Sequence, residues 1–320
     1  MNEEIVLASD LGGTNLRMAA VTADGRILHR LKVSTPQTRY AQDVVRAIVE
    51  AAEECRKLIG INENGFRVKS VAAAVPATVS VKNGVILKAP NVPSLDGFRL
   101  AAAVSSELDL PCLLENDANA AAIGEYFFGA ARGFDNAVMV TLGTGVGGGI
   151  VINGNILRGA DGTAGEIGHI CVEPFGAPCG CGSRGCLEQY SSATAIVRLA
   201  RKLENQYPKT ILKSRTKLTS ADIFHAGKEG DELALEVFRQ MGFYLGIALA
   251  DLVNVLNPDV IVIGGGASAG WELFIGQVKE QIHNRSFREP GERVKVIRAR
   301  LGDDAGILGA ACMGFTPAKK

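Results

Sequence analysis

Neither sign of charge dominates this sequence. Its 320 residues carry 34 Lys plus Arg against 34 Asp plus Glu, a net charge of zero. Nucleic acid and anionic membrane surfaces call for a basic excess, so this balance supports neither partner. The uninterrupted apolar runs "AVMVTLG" and "VIVIGG" are far too short to cross a bilayer. The opening "MNEEIVLASDLGG" puts acids ahead of a short apolar run, the reverse of a secretory signal. Seven cysteines, an odd number without such a signal, argue against a disulfide framework and for a reducing cytoplasm. No "GK[ST]" follows a glycine loop, so a Walker site is excluded. No G-x-G-x-x-G opens a helix early in a βαβ unit, which disfavours a dinucleotide enzyme.

What is present is a globular composition, 47% hydrophobic and 21% charged, in a chain long enough for two domains. Three β-rich runs end in glycine turns: "EIVLASDLGGT", "NAVMVTLGTGVGGG" and "PDVIVIGGGAS". The first two continue alike, as "LRMAAVTADGRILHR" and "GGGIVINGNILRG", each reading as strand, turn, strand, hairpin, strand. This weak internal repeat predicts two related halves facing each other. Between them, "YAQDVVRAIVEAAEECRKLIG" puts Val44, Val45, Ile48 and Ala52 on one helical face and ends at a capping Gly60. "DELALEVFRQMGFYLGIALADLVNVLNP" predicts a long apolar helix stopped by Pro258. Strands alternating with helices indicate an α/β protein that binds ligands at strand ends. The expected division is residues 1–114 plus about 301–320 as a small domain, with the final helix returning to it, and 115–300 as a larger one.

Glycines at a strand end let the backbone approach an anion and aim N–H groups at it. "DLGGT" adds a carboxylate, Asp10, suited to magnesium through water, and a hydroxyl, Thr14, suited to a phosphate oxygen. "LGTGVGGG" repeats the theme with Thr144. The plainer alternative, hairpin turns needing positive φ, weakens when two such loops occupy equivalent places in a repeat. Asp117, in "ENDANAAA", stands where a strand leads into a helix; taken alone, the motif favours a simple N-cap. Cys179, Cys181 and Cys186 in "CGCGSRGCLEQY" supply three thiolates for a tetrahedral zinc. "GEIGHICVEP" offers His169 and Cys171 as fourth ligands, and spacing alone does not choose between them.

"DLGGTN", "ENDANAAAIGE", "LGTGVGGG", "GTAGEIGH" and "CGCGSRGCLEQY" occur in the order and spacing of the ROK family, which this chain resembles from about residue 5 to 315. That family holds bacterial sugar kinases and related repressors and belongs to the actin-like ATPases. The resemblance implies an α/β, ribonuclease H-like duplicated fold of two domains with a cleft between them. It implies Asp117 as general base, and Asn91, Asn116, Asp117, Glu166, His169 and Glu188 as sugar ligands. Phosphate and nucleotide contacts fall to Asp10, Gly12, Gly13, Thr14, Asn15, Thr144, Gly145, Gly265 and Gly266. For the metal it favours His169 over Cys171, giving a structural zinc on His169, Cys179, Cys181 and Cys186. "ENDANAAAIGEYFFGAARG" is most similar to the glucokinases, implying ATP, magnesium and glucose phosphorylated at its 6-hydroxyl. Family members commonly form dimers or tetramers, which implies a homo-oligomer. In "AAAVPATVS" the chain departs from the pattern, with Pro76-Ala77 where many members have Pro-Gly. The competing expectations are a kinase of fructose, mannose, allose or an N-acetylhexosamine, a sugar-responsive repressor, and a thiol redox protein. Repressor members carry a helix-turn-helix domain ahead of the kinase-like part, for which the position of Asp10 leaves no room.

Overall fold

The glycine turns punctuate a chain whose β-branched runs pair with their sequence neighbours first. In the computed structural model, which describes residues 3–60, 65–213 and 215–315, β1 (Glu3–Leu11), β2 (Asn15–Thr22) and β3 (Ile27–Ser34) form an antiparallel meander. Helix α1 (Ala41–Leu58) then crosses to β4 (Phe66–Val75), which lies parallel to β1. The expected face of α1 (Val44, Val45, Ile48 and Ala52) is buried, and Gly60 beyond its end takes φ +58° and donates to the Lys57 carbonyl. A small hairpin of β5 (Thr78–Ser80) and β6 (Val85–Lys88) precedes α2 (Leu100–Leu108) and β7 (Cys112–Asn116), which joins parallel to β4. The first sheet has the order β3-β2-β1-β4-β7. It runs past the expected boundary at residue 114 and ends at Asn116.

After α3 (Asp117–Phe127) the pattern restarts with β8 (Ala137–Leu142), β9 (Val146–Ile152) and the short β10 (Asn155–Ile156). Helices α4 (Glu188–Ser191), α5 (Ala193–Leu203), α6 (Ser220–Lys228) and α7 (Glu232–Leu256) separate these from β11 (Val260–Gly264). Then come α8 (Trp271–Arg285), α9 (Arg288–Arg293) and β12 (Lys295–Arg298). The second sheet, β10-β9-β8-β11-β12, repeats the first strand for strand. The predicted duplication is therefore present in strand order and direction, with two mixed α/β domains.

Helix α10 (Ala305–Phe315) lies against the first sheet: Ile307, Leu308 and Ala311 pack with Val6, Ala8 and Ala72. Residues 316–320 of the expected small domain lie outside the described residues. Helices α3 and α10 meet backbone to backbone. A Cβ at Gly309 would stand 1.7 Å from the Ala120 carbonyl oxygen, and one at Gly124 would stand 2.2 Å from that of Ala305. Only glycine permits that approach.

Helix α7 is capped by the Asp231 side chain, which accepts from Ala234 N, and ends with Asn257 at φ +48° just ahead of Pro258. Long and apolar as expected, it also meets the length and hydropathy of a membrane span. Here it is the core of the second domain: Leu233, Val237, Phe238, Met241, Leu245 and Leu249 are buried beneath the surrounding helices and the sheet.

A carboxylate fixes the return to α10. Glu125 is fully buried on α3; its Oε1 accepts from Arg300 N (2.8 Å) and Leu301 N (2.7 Å), and its Oε2 from Ala130 N (2.7 Å). Glu125→Ala would strand three backbone N–H groups, each costing about 1–3 kcal/mol when buried unpaired. Thermal unfolding should show a large loss of stability, with Glu125→Gln, which keeps one acceptor, losing less.

Candidate active site

The two glycine turns and the head of α3 gather in the cleft between the domains. Strand register explains why. Asp10 on β1 pairs across to Ala74 on β4, and Ala74 to Glu115 on β7, so the ends of three parallel strands present Asp10 and Asn116–Asp117 together. The turn after Asp10 is closed by Gly12 N donating to the Asn15 carbonyl (2.8 Å). Thr35 Oγ1 donates to Gly12 O (2.7 Å) and Gln37 Nε2 to Gly13 O (2.7 Å), which point those carbonyls away and hold the turn carrying Thr14 and Asn15. Asn91 lies directly against this turn: a Cβ on Gly13 would stand 3.2 Å from the Asn91 Cβ. Burial raises the Asp10 carboxyl above the ordinary carboxylate range, opposed by Arg17, whose Nη1 lies 3.8 Å away, and reinforced by Asp303.

The N-cap of α3 is Asn116, not Asp117. Its Oδ1 accepts from Ala118 N (2.9 Å) and Asn119 N (3.0 Å), while its Nδ2 donates to Ala77 O and to Asp117 Oδ1, each at 3.2 Å. Asp117 is thereby released from capping and becomes the first helical residue. Burial pushes its carboxyl up to about 6, with Asp10 and Glu166 adding charge repulsion and the Ala118 N–H working in the opposite direction. Asn116, Asp117, Asn119, Gly148, Gly165 and Glu166 are among the residues lining a cleft of about 120 Å³. A desolvated carboxyl facing a polar cleft is suited to taking a proton near neutral pH.

The glycines of "GVGGG" do something the sequence did not disclose. Gly147, Gly148 and Gly149 lie within β9, not in a phosphate turn. A Cβ at Gly149 would stand 2.5 Å from the Ala122 Cβ, one at Gly147 2.9 Å from the Ala118 Cβ, and one at Gly148 2.5 Å from the Ile167 side chain. They let the helix that carries Asp117 and the segment that carries Glu166 close onto the second sheet. The turn itself is Gly143–Gly145, closed by Gly143 N donating to Gly145 O (2.9 Å), with Thr144 exposed at its tip. Gly265, at φ +84°, packs on Leu142 of the same strand end, which brings the Gly265–Gly266 loop beside this turn.

Glu188 reaches this turn too, its Oε2 accepting from Val146 N (3.1 Å). A Cβ at Gly145 would stand 2.2 Å from that oxygen. Because the clash is with the flexible end of a side chain, Gly145→Ala should leave thermal stability within about 1 kcal/mol while displacing Glu188. Melting curves check the first part and a structure of the variant the second: stability held, Glu188 moved off Val146 N.

His169, Cys179, Cys181 and Cys186 place one ligand atom each within 4.8 Å of all the others. His169 Nδ1 lies 3.7 Å from Cys179 Sγ, and Cys181 Sγ lies 3.7 Å from Cys186 Sγ. A tetrahedral zinc with Zn–S of about 2.3 Å requires sulfur–sulfur edges of about 3.8 Å, so donor set and spacing both fit zinc. Cys171 is not in the cluster: it is exposed, its backbone bridged to Cys186, and the open choice of fourth ligand falls to His169. With Nδ1 turned to the thiols, His169 Nε2 lies 4.0 Å from Glu166 Oε2 at the cleft. Gly185, at φ +70°, makes the tight wrap possible, since a Cβ there would stand 1.8 Å from the Glu173 carbonyl oxygen.

These features agree with a family-wide signature: the ROK family pattern matches residues 6–315. The chain belongs to the ROK family. This ROK protein is 37% identical over 314 residues to a glucokinase of Halalkalibacterium halodurans, covering 97% of this chain and 94% of that one. It is 33% identical over 310 residues to an N-acetylmannosamine kinase of Yersinia pestis, covering 97% and 98%. Its fold superimposes on the ROK glucokinase of Streptomyces griseus, solved with glucose and AMPPNP, at a TM-score of 0.81 and 36% identity, covering 97% of this chain and 98% of that one.

Proposed function

We propose that this ROK protein transfers the terminal phosphoryl group of ATP to the 6-hydroxyl of glucose, with Asp117 as general base. The observation that carries this reading is the Asp117 carboxyl: half-buried, raised by desolvation to about 6, and facing the interdomain cleft beside Glu166. Such a group is ionised at neutral pH yet basic enough to accept a hydroxyl proton as the oxygen attacks. Phosphoryl transfer otherwise needs positioning and charge neutralisation. Asn91, Asn116, Glu166, His169 and Glu188 hold the sugar hydroxyls. The N–H groups and hydroxyls of Gly13, Thr14, Asn15, Thr144 and Gly145 take the phosphates, Gly12 shapes the turn by spending its N–H on the Asn15 carbonyl, and Gly265 and Gly266 flank the adenosine. Magnesium would supply charge neutralisation at the phosphates, and Asp10, desolvated and with Arg17 as its one close cation among the described residues, is the carboxylate that would hold it through water. Zinc on the His169 and cysteine cluster fixes the imidazole with Nε2 as an N–H donor toward the cleft. Thiol ligands of this kind suit a reducing cytoplasm.

A coupled assay with ATP and magnesium over a panel of hexoses and N-acetylhexosamines tests the reading. Glucose should give the highest kcat/KM. A clear lead for N-acetylmannosamine, the sugar named in the relative from Yersinia pestis at 33% identity, would shift the specificity while keeping the chemistry. No turnover on any sugar would remove the kinase reading.

A further inference from the structure

Immediately before Asn116, β7 carries a buried carboxylate, Glu115. It is 1% exposed, and both of its oxygens are engaged. Oε2 accepts from Arg158 Nε (2.8 Å) and pairs with Arg158 Nη2 (2.7 Å). Oε1 accepts from Asn116 N (3.1 Å) and from Asn119 Nδ2 (3.2 Å). Arg158 belongs to the other domain, at the base of the loop that leads to Glu166 and His169. Its own carbonyl closes that loop by accepting from Ala164 N (3.1 Å). The loop tip bears on the first domain as well: a Cβ at Gly162 would stand 2.5 Å from the Val79 carbonyl oxygen. One ion pair therefore joins the strand end that carries the base to the loop that carries the sugar ligands.

Asn119 completes the arrangement. It is 2% exposed, and its Oδ1 has no hydrogen-bond partner among the described residues. A carboxylate accepts only, so Glu115 holds the amide nitrogen of Asn119 and forces the oxygen the other way. That oxygen faces the cleft wall, 3.6 Å from where a Cβ on Gly165 would stand. Leaving a buried acceptor unpaired is costly unless a donor arrives in some state of the molecule. The donor chemistry it fits is an N–H of the 165–166 backbone or a hydroxyl, both of which bear on the loop's position.

We propose that Arg158, Glu115 and Asn119 are positioning residues that hold the 157–169 loop in register with Asp117, and so set sugar affinity without taking part in proton transfer. This rests on the kinase reading for its kinetic consequence and not for its structural one. The network fixes where Glu166 and His169 stand; Asp117 keeps its own hydrogen bonds through Ala118 and Asn116.

Arg158→Met, Arg158→Lys and Asn119→Ala in the full, metal-loaded chain test it with two readouts. Amide exchange in the 157–169 loop should quicken about tenfold in Arg158→Met, with α1 unchanged. Glucose KM should rise about tenfold with ATP KM within about twofold, and the acid limb of the pH profile should stay near the wild-type position. Arg158→Lys, which keeps a cation for Glu115 Oε2, should recover most of both, and Asn119→Ala should shift KM alone in the same direction. Unchanged loop exchange in Arg158→Met overturns the proposal. So does a general rise in exchange with glucose and ATP KM moving together, which would mark a merely structural pair. Wild-type protein inactive on every hexose would count against the proposed function, and the exchange result would still decide the network.

Discussion

Asp117→Asn should lower kcat by about 10²–10⁴-fold, the contribution of a positioned general base, while leaving the protein folded and more stable at neutral pH. The loss follows from chemistry: an amide at this position cannot take the hydroxyl proton. The gain follows from the raised carboxyl. An Asp that titrates near its ordinary 3.8 when unfolded but at about 6 when folded is held in its charged form at a cost. Above pH 6 that cost is fully present, on the order of 3 kcal/mol from the gap between the two values. As pH falls from 6 toward 3.8 the folded protein binds the proton first, and the cost fades. The amide variant should therefore melt higher than wild type at pH 8, by a margin that shrinks below pH 6. In the wild-type enzyme, kcat/KM for the sugar should fall below pH 6 as the base is protonated. Steady-state kinetics with parallel melting curves between pH 5 and 8 check all three. A variant that keeps most of its turnover would remove Asp117 from the mechanism.

The second large effect concerns metal. Stripping zinc, or Cys186→Ser, should raise glucose KM by at least about tenfold and leave ATP KM within about twofold. The reason is local: His169 and the three cysteines bring the "GEIGH" and "CGCGSRGC" segments onto one centre, and without it neither the imidazole nor Glu166 is held at the cleft. Burial, with Cys181 and Cys179 beside it, raises the Cys186 thiol to about 12, and a bound cation reverses that balance. Chelator must be removed and magnesium restored before the assay, because magnesium serves the chemistry. Cys171→Ser, outside the cluster, is the control that should change nothing. Metal analysis finding no zinc, or unchanged glucose affinity after stripping, would contradict this part of the account.

Much of the fold was legible because it is written locally. Alternating apolar runs with glycine turns at Gly12–Gly13 and Gly143–Gly145 announced two equivalent meanders, and the sheets repeat in the same strand order. The cysteine spacing announced a metal clip, though choosing His169 over Cys171 required the family pattern until the geometry separated them. Long-range contacts were not legible. Gly147–Gly149 looked like more phosphate loop, yet their small size serves the approach of α3 and of Ile167. Asp117 looked like a cap because Asn and Asp cap equally well, and in the fold Asn116 takes that task and frees its neighbour. Arg158 is an unremarkable basic residue in sequence, and its pairing with Glu115 spans 43 positions. The apolar α7 reads as a candidate membrane span by composition and proves to be buried against the second sheet.

The most direct test is identification of the product. The full-length, zinc-loaded protein would be incubated with ATP, magnesium and glucose, and phosphorus NMR used to follow every phosphate species. Glucose 6-phosphate and ADP should appear in equal amounts, and both about 10²–10⁴-fold more slowly when Asp117→Asn replaces the wild type. ATP consumed without a sugar phosphate, or phosphate placed on another hydroxyl, would contradict the proposed function.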